Sequence, residues 1–132
     1  MELKNILPIN GPSIEEVKKY INKYNDESIV IKCGGSVLLD PNLFNIFIKD
    51  IAVLKKIGLS PIIVHGGGPK IKKKLSELNI ESTFIKGLRV TDDKMIDIVE
   101  EVLVELNKEI VNALKNQSCK ARQVTTRNDG TL

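Results

Sequence analysis

Two segments of the sequence decide the fold: SIVIKCGGS at residues 28–36 and SPIIVHGGGP at residues 60–69. Each is a short run rich in β-branched residues that stops at consecutive glycines, a pattern typical of a strand that ends in a tight turn. Because both runs are almost continuously apolar, we expect the two strands to be buried.

Helical segments follow both predicted strands. Asp40 and Pro41 supply an N-cap and a first-turn proline, and Gly58 lies where a C′ glycine would end the helix. Pro69 opens a second helix directly after the second run of glycines. Alternation of strand and helix implies a parallel sheet with right-handed crossovers and helices on its faces. The sequence therefore predicts the α/β class with a mainly parallel sheet.

The regions around this unit supply further elements. Ser13 and Glu16 have the spacing of a capping box, which predicts an amphipathic helix over residues 13–24. Residues 83–86 form a shorter strand candidate, and residues 87–90 are expected to turn back as part of a hairpin.

The longest predicted helix begins after Thr91, which is expected to cap it while Asp92 and Asp93 favour its positive end. Its apolar residues recur with helical period: Met95, Ile98, Val99, Val102, Leu106, Ile110 and Leu114. A last strand is expected over residues 120–125, and residues 128–130 (NDG) are a turn signal. Because that turn should lead into another strand, we expect an architecture that is incomplete at its C-terminus.

Composition excludes several classes of protein. With 132 residues the chain can bury one hydrophobic core, and 42% apolar with 28% charged residues is ordinary for a globular protein. No apolar run is long enough to cross a bilayer, and residues 1–9 lack the basic leader and sustained apolar stretch of a secretory signal. We therefore expect a cytoplasmic protein that does not enter a membrane.

The charge pattern argues against nucleic acid as a partner. The 20 basic and 17 acidic side chains are scattered along the chain and aromatic residues amount to 4%, whereas nucleic-acid binding needs clustered cations and stacking surfaces. The densest basic cluster, within residues 70–74, is interpreted as a solvated helix face, with anion binding as the alternative. Cys33 and Cys119 lack metal-ligand spacing and are predicted to be free thiols.

Lys32 and the glycine turns are candidates for binding phosphate. In a parallel sheet both turns would lie at the carboxyl edge, where open α/β folds bind ligands. Glycine lets the backbone approach a ligand closely, and exposed amides at helix starts attract phosphate oxygens. Lys32 could neutralise charge on a transferring phosphoryl group, or it could extend harmlessly from a sheet edge. Spacing alone leaves both roles open, and simple tight connections remain the alternative for the glycines.

Arg89 and His65 are the other candidates. Arg89 lies within GLRVT at residues 87–91 and could clamp a substrate carboxylate through its planar guanidinium, or form a surface ion pair. His65 is the only histidine of the chain. Nothing near it in the sequence would orient an imidazole, so a structural hydrogen bond beside the turn is favoured over a role as general base.

Together these motifs resemble the N-acetylglutamate kinases, a branch of the amino-acid kinase family. The match comprises residues 29–36, 61–69 and 87–92, in order and at the expected intervals, with residues 107–110 (NKEI) late in the long helix. The first two motifs are shared more widely, among carbamate, aspartate and uridylate kinases, whereas GLRVT is the specific one. The resemblance covers about residues 24–121.

The resemblance implies an open αβα sandwich in which ATP with Mg²⁺ phosphorylates the γ-carboxylate of N-acetyl-L-glutamate, a step of arginine biosynthesis. It implies that Lys32 stabilises the transferred phosphoryl group and that Arg89 binds the α-carboxylate of the substrate. Amides of four glycines would hold phosphate oxygens, and the last two would also contact the substrate: Gly34, Gly35, Gly67 and Gly68. The resemblance assigns no metal ligand to this chain.

A division of the chain also follows from the resemblance. Residues 1–27 would form an N-terminal extension with the amphipathic helix, and residues 28–132 the substrate-binding part of a kinase domain. The extension is similar to the helix that joins dimers of some members into hexamers, so we expect a homo-oligomer, with an ordinary packing helix as the alternative. Residues 122–130 depart from the family pattern, and the nucleotide-binding residues would lie beyond Leu132. We therefore expect the 132-residue chain alone to be inactive.

Two other interpretations stay open. The chain could be a module that binds an anionic amino acid without catalysis, or part of another amino-acid kinase, of the carbamate or aspartate kinase type. The presence of Arg89 within GLRVT argues against the second of these.

Overall fold

The structure is a computed structural model that describes residues 3–25 and 27–125. A short 3-10 helix, Leu3–Asn5, comes first. The elements that follow are α1 (Ile14–Lys23), β1 (Ser28–Cys33), α2 (Pro41–Lys56), β2 (Ser60–His65), α3 (Gly68–Glu77), β3 (Phe84–Ile85), β4 (Leu88–Arg89) and α4 (Asp93–Asn116). Within the described residues, no helix combines the length and the apolarity that a membrane span requires.

The central sheet pairs β1 with β2 in parallel. Its register runs from Ser28 opposite Ser60 to Cys33 opposite His65. Parallel neighbours need a crossover connection, which α2 provides. The α/β class and the parallel pairing predicted from the sequence are thereby confirmed. Because the strands are in register at their carboxyl ends, the two glycine turns leave the sheet side by side.

The hydrophobic core lies on one face of this sheet. α2, α3 and α4 contribute most of it, and Ile31, Cys33 and Ile63 of the two strands belong to it or pack against it. Its buried helical residues are Ile48, Ile51, Ala52, Ile71, Leu75, Met95, Val102, Leu106, Ile110 and Leu114. All five buried residues of α4 lie at positions that its helical period predicted.

The opposite face of the sheet is exposed within the described part of the chain. Val30, Ile62 and Val64 alternate with the core-facing residues and are 65%, 49% and 50% exposed. The expectation of strands buried on both faces is therefore wrong for these residues. The continuous apolar run predicted two covered faces, and only one is covered here. A contiguous apolar surface of this kind favours association.

Three of the helices have an N-cap residue whose side chain accepts a hydrogen bond from the first turn. At α1 the Ser13 hydroxyl accepts from the amide of Glu16, and the Glu16 carboxylate accepts from the amide of Ser13, so the capping box is confirmed. The Ser13 hydroxyl also donates to that carboxylate at 2.8 Å, and this hydrogen bond, together with the one from the Ser13 amide, lowers the pKa of Glu16. Asp40 caps α2 as predicted, accepting from the amides of Asn42 and Leu43.

The cap of α4 differs from the sequence prediction. Asp92, and not Thr91, is the N-cap, and its carboxylate accepts from the amide of Met95 at 2.8 Å. Both residue types can accept such a hydrogen bond, and aspartate ranks above threonine as an N-cap. A carboxylate also interacts favourably with the positive end of the helix. The helix consequently begins one residue later than a Thr91 cap would allow.

The predicted hairpin forms, and the predicted last strand does not. β3 and β4 are antiparallel and joined by Lys86 and Gly87, whose φ angles of 50° and 80° are the left-handed values that a two-residue type I′ turn requires. Residues 120–125 have no regular secondary structure, so the expected strand is wrong for this segment. Its Gln123 side chain instead donates to the carbonyl of Val104 in α4 at 3.3 Å. The predicted turn at 128–130 lies outside the described residues.

Candidate functional site

The two glycine turns contact each other at the carboxyl edge of the sheet. The amide of Gly66 donates to the carbonyl of Cys33 at 3.2 Å, which extends the ladder of the sheet into the turns. A Cβ atom built on Gly35 would lie 2.8 Å from Cδ of Pro69 and 3.4 Å from the amide nitrogen of Gly68. The Pro69 ring cannot yield as a long side chain would, so only glycine fits at position 35.

The second glycine turn also rests on α4. A Cβ atom on Gly67 would lie 2.8 Å from a methyl group of Leu103 and 3.1 Å from one of Leu106, and Gly67 itself is buried. By contrast, a Cβ atom on Gly68 would meet nothing within 4 Å, and one on Gly34 would meet only the Ser36 hydroxyl at 3.8 Å. Packing therefore explains two of the four predicted glycines, and the other two face open space.

The start of α3 offers the N–H groups of Gly68 and Lys70 beside this open space, while Pro69 between them has no N–H. The first turn of any α-helix leaves its N–H groups without partners inside the helix. The cap residue, Gly67, has no side chain that could satisfy them. Helix starts of this kind attract anions because the N–H groups and the helix dipole act together.

Lys32 lies on the open face of the sheet, at the penultimate position of β1 and opposite Val64. Its side chain is exposed, and the described residues give its ammonium group no ion-pair partner. Lys32 is close along the chain to Gly34 and Gly35. Its ammonium group is free to turn toward an anion at the carboxyl edge of the sheet. Its neighbour Cys33 is buried as a free thiol, as predicted for both cysteines, and burial raises the pKa of that thiol.

Arg89 lies on β4, where its contacts are within the hairpin. Its guanidinium stacks over the Phe84 ring at 4.8 Å from the centroid and donates to the Ser82 hydroxyl. Within the described residues, no hydrogen bond or ion pair joins Arg89 to either glycine turn. The structure thus brings the glycine turns together beside Lys32 and leaves Arg89 on a separate hairpin.

His65 behaves as the sequence suggested. Its Nδ1 lies 3.3 Å from the carbonyl oxygen of Gly66, a contact in which the ring N–H donates. This is a structural hydrogen bond beside the turn.

A family comparison assigns this arrangement. The model of the amino acid kinase family matches residues 27–128, which include both strands, both glycine turns and the hairpin. The chain belongs to the amino acid kinase family. Membership accounts for the parallel strands with glycine turns at their carboxyl ends.

Curated relatives in this family are named acetylglutamate kinase. That of Pelagibacter ubique (strain HTCC1062) is 62% identical over 131 residues, which are 99% of this chain and 46% of the relative. That of Thermoanaerobacter pseudethanolicus (strain ATCC 33223 / 39E) is 48% identical over 118 residues, covering 89% of this chain and 39% of the relative. The chain thus spans less than half the length of these two amino acid kinases.

Solved structures agree at the level of the fold. N-acetylglutamate synthase from Neisseria gonorrhoeae, complexed with coenzyme A and N-acetyl-glutamate, has a TM-score of 0.66 at 21% identity, covering 81% of this chain and 26% of that one. The same enzyme with coenzyme A and L-arginine has a TM-score of 0.60 at 18% identity, covering 89% and 28%.

One feature of this member of the amino acid kinase family was not predicted from the sequence. Lys70 in the first turn of α3 forms two short contacts with the carboxylate of Glu109 in α4, at 2.6 and 2.8 Å. The basic cluster at residues 70–74 was interpreted as a solvated face, which holds for the exposed Lys72 and Lys73 but not for Lys70. Residues 107–110 did belong to a recognised motif, and that was the one signal pointing to Glu109.

Proposed function

We propose that this chain is the substrate-binding part of an acetylglutamate kinase, which transfers phosphate from ATP to the γ-carboxylate of N-acetyl-L-glutamate and forms N-acetylglutamyl phosphate. The observation that carries the proposal is the pair of contacting glycine turns beside Lys32, a lysine with no ion-pair partner among the described residues. Identity of 62% to an acetylglutamate kinase supports this substrate over those of other amino acid kinases. The product would serve arginine biosynthesis.

The proposed reaction brings two negatively charged groups together. A carboxylate attacking a polyphosphate needs fixed positive groups more than it needs a strong base, because electrostatic stabilisation dominates phosphoryl transfer. Lys32 would stabilise the phosphoryl group in flight. Amides at Gly34, Gly35, Gly67 and Gly68 would hold phosphate oxygens, the last two also contacting the substrate.

Arg89 would bind the α-carboxylate, which does not react. A planar guanidinium suits that task because it donates two parallel hydrogen bonds to one carboxylate. Its stacking over Phe84 supports this role, since a ring that holds the guanidinium plane limits the orientations it must give up on binding. Reaching the site would require the hairpin that carries Arg89 to approach the glycine turns.

ATP would enter as its magnesium complex, with the metal as part of the substrate. The described residues contain no group of three or more His, Cys, Asp or Glu side chains that could hold a metal ion. Mg²⁺ commonly relies on substrate phosphates for part of its coordination. We expect the chain's own contribution to be cationic and amide groups that would face phosphate, with Mg²⁺ carried on the nucleotide.

The proposal keeps the division into an extension at residues 1–27 and a substrate-binding part at residues 28–132. It includes homo-oligomers: a dimer, with a hexamer through α1 as the extended form. On α1 only Val17 is buried, while Tyr20 is 51% exposed and stacks on the Tyr24 ring at 6.2 Å between centroids. An exposed aromatic pair of this kind suits a contact with a second copy. The ATP requirement implies a cytoplasmic location.

The test uses a chimeric kinase, in which this chain replaces the matching residues of the Pelagibacter ubique relative. ATP is the phosphoryl donor, and N-acetylglutamate, aspartate and carbamate are offered as acceptors in separate assays. The acyl phosphate product is trapped with hydroxylamine. We expect turnover with N-acetylglutamate and none with aspartate or carbamate. Preference for aspartate or carbamate would replace the proposal with another amino-acid kinase.

Calorimetry on the 132-residue chain separates the kinase from a binding module. A non-catalytic module would bind N-acetylglutamate in the absence of ATP, while its chimera would fail to turn over. The kinase proposal fails if the chimera folds, binds N-acetylglutamate and produces no acyl phosphate.

A further inference from the structure

The Lys70 and Glu109 ion pair joins two helices at the candidate site. Both carboxylate oxygens of Glu109 approach the Lys70 ammonium, at 2.6 and 2.8 Å, and the two residues are 39 positions apart in the sequence. Their side chains are 31% and 53% exposed. An ion pair of that exposure contributes little to global stability. Its position, at the first turn of α3, suggests a different use.

The same face of α4 supports the glycine turn. Leu103, Leu106 and Glu109 follow one another at intervals of three, so they lie along one side of the helix. The two leucines occupy the space that a Cβ of Gly67, immediately before α3, would need, and Glu109 contacts Lys70 within the first turn of α3. The leucines set how closely the turn approaches α4. The ion pair adds a directional contact to this packing, and such a contact opposes rotation of α3 and its displacement along α4.

We propose that Lys70 and Glu109 are positioning residues for the second glycine turn. Their ion pair holds the first turn of α3 in register with α4, and this keeps the amides of Gly67 and Gly68 beside the first glycine turn. Lys70 acts through the turn and does not itself bind the phosphate. The catalytic meaning of this inference rests on the proposed kinase function, whereas its structural meaning does not.

A second ion pair on α3 provides a matched control. Lys73 and Glu77 lie one helical turn apart at 4.0 Å, with side chains 78% and 57% exposed. This pair lies within one helix and fixes no second element. Glu77→Gln therefore removes the same charge from the chain as Glu109→Gln without loosening α3 from α4.

The structural test is hydrogen exchange in the 132-residue chain. The amide of Ile71 donates to the carbonyl of Gly67 at 2.9 Å and reports opening of the first turn of α3. We expect Glu109→Gln to speed its exchange by about 3- to 10-fold, while the amide of Leu106 in the core of α4 keeps its rate. Glu77→Gln should leave both amides unchanged. Equal acceleration at Ile71 and Leu106, or none at Ile71, would overturn the inference.

The kinetic test uses the chimeric kinase. Glu109→Gln and Lys70→Met should each lower kcat/KM by about 3- to 10-fold, and the double variant should be no worse than either, because both remove one shared interaction. Lys70→Arg should retain most of the activity, since it keeps the pair. If Lys70 bound phosphate directly, Glu109→Gln would spare activity and the inference would be wrong. An inactive parent chimera would count against the proposed function, and hydrogen exchange would then decide the inference alone.

Discussion

Lys32 combines an exposed side chain with a position two residues before Gly34, the start of the first glycine turn. In the chimeric kinase we expect Lys32→Ala to lower kcat by about 10²- to 10³-fold, the scale of losing one preorganised electrostatic group. Folding should be unaffected because the described residues give this ammonium no ion-pair partner. Lys49→Ala, which removes another exposed charge, from α2, is the control. Near-normal kcat in the Lys32 variant would reduce this residue to a solvated sheet-edge lysine.

Arg89→Ala should act mainly on substrate binding, because the carboxylate proposed to be held does not react. Loss of a charged hydrogen-bonded pair costs about 1.5 to 3 kcal/mol, which would raise KM for N-acetylglutamate roughly 10- to 150-fold if binding is at equilibrium. Arg89→Lys should recover only part of the loss, since an ammonium lacks the planar fork. Steady-state kinetics with varied N-acetylglutamate measures this, and an unchanged KM in the alanine variant would exclude the clamp.

Among the helices, α4 offers a test of which residue serves as its cap. Asp92 accepts from the amide of Met95, so Asp92→Ala should lower the free energy of unfolding of the 132-residue chain by about 1 kcal/mol. Thr91→Ala, one residue earlier, should change it by less than about 0.5 kcal/mol, as expected for a surface substitution. Urea denaturation followed by circular dichroism measures both. A larger loss for Thr91→Ala than for Asp92→Ala would restore the cap that the sequence predicted.

The elements show which parts of the fold were predictable from sequence. Helices α1 and α2 were predicted because Ser13 and Asp40 act on amides two or three residues away, so their signals are local. The strand expected at residues 120–125 failed because a strand also needs a neighbour to pair with, which no local pattern reports. The N-cap of α4 was assigned to Thr91 instead of Asp92 because these adjacent residues both have side chains that suit an N-cap.

The candidate site also has a part that was predictable from the sequence and a part that was not. Its glycines and Lys32 could be found because both turns follow strands, and the carboxyl ends of parallel strands meet at one edge. The Glu109 contact with Lys70 could not be found, because it joins residues 39 positions apart on different helices. The contact of Gly35 with Pro69 depended equally on how two separate turns pack.

At the scale of the whole molecule, the open sheet face sets the solution behaviour of the 132-residue chain. Val30, Ile62 and Val64 together present a contiguous apolar surface, so we expect reversible self-association that rises with protein concentration. Ile62→Thr with Val64→Thr should weaken it, as measured by sedimentation velocity. Ile96→Thr removes an apolar side chain of similar exposure, 53%, from α4 and serves as the control. Association that the control weakens as much as the double variant would locate the contact elsewhere.

The close approach of Gly35 to Pro69 couples the two glycine motifs, so a substitution in one should require a compensating substitution in the other. Gly35→Ala alone would force its methyl group against the proline ring, whose nearest carbon lies 2.8 Å from the position of that methyl. Such overpacking typically costs about 1 to 3 kcal/mol. Pro69→Ala removes the ring, so Gly35→Ala should cost less free energy of unfolding in the Pro69→Ala background than in the parent chain, as urea denaturation of all four proteins measures. Equal costs in the two backgrounds would show that the motifs are independent, whereas a smaller cost would make them a single unit spanning two turns of the chain.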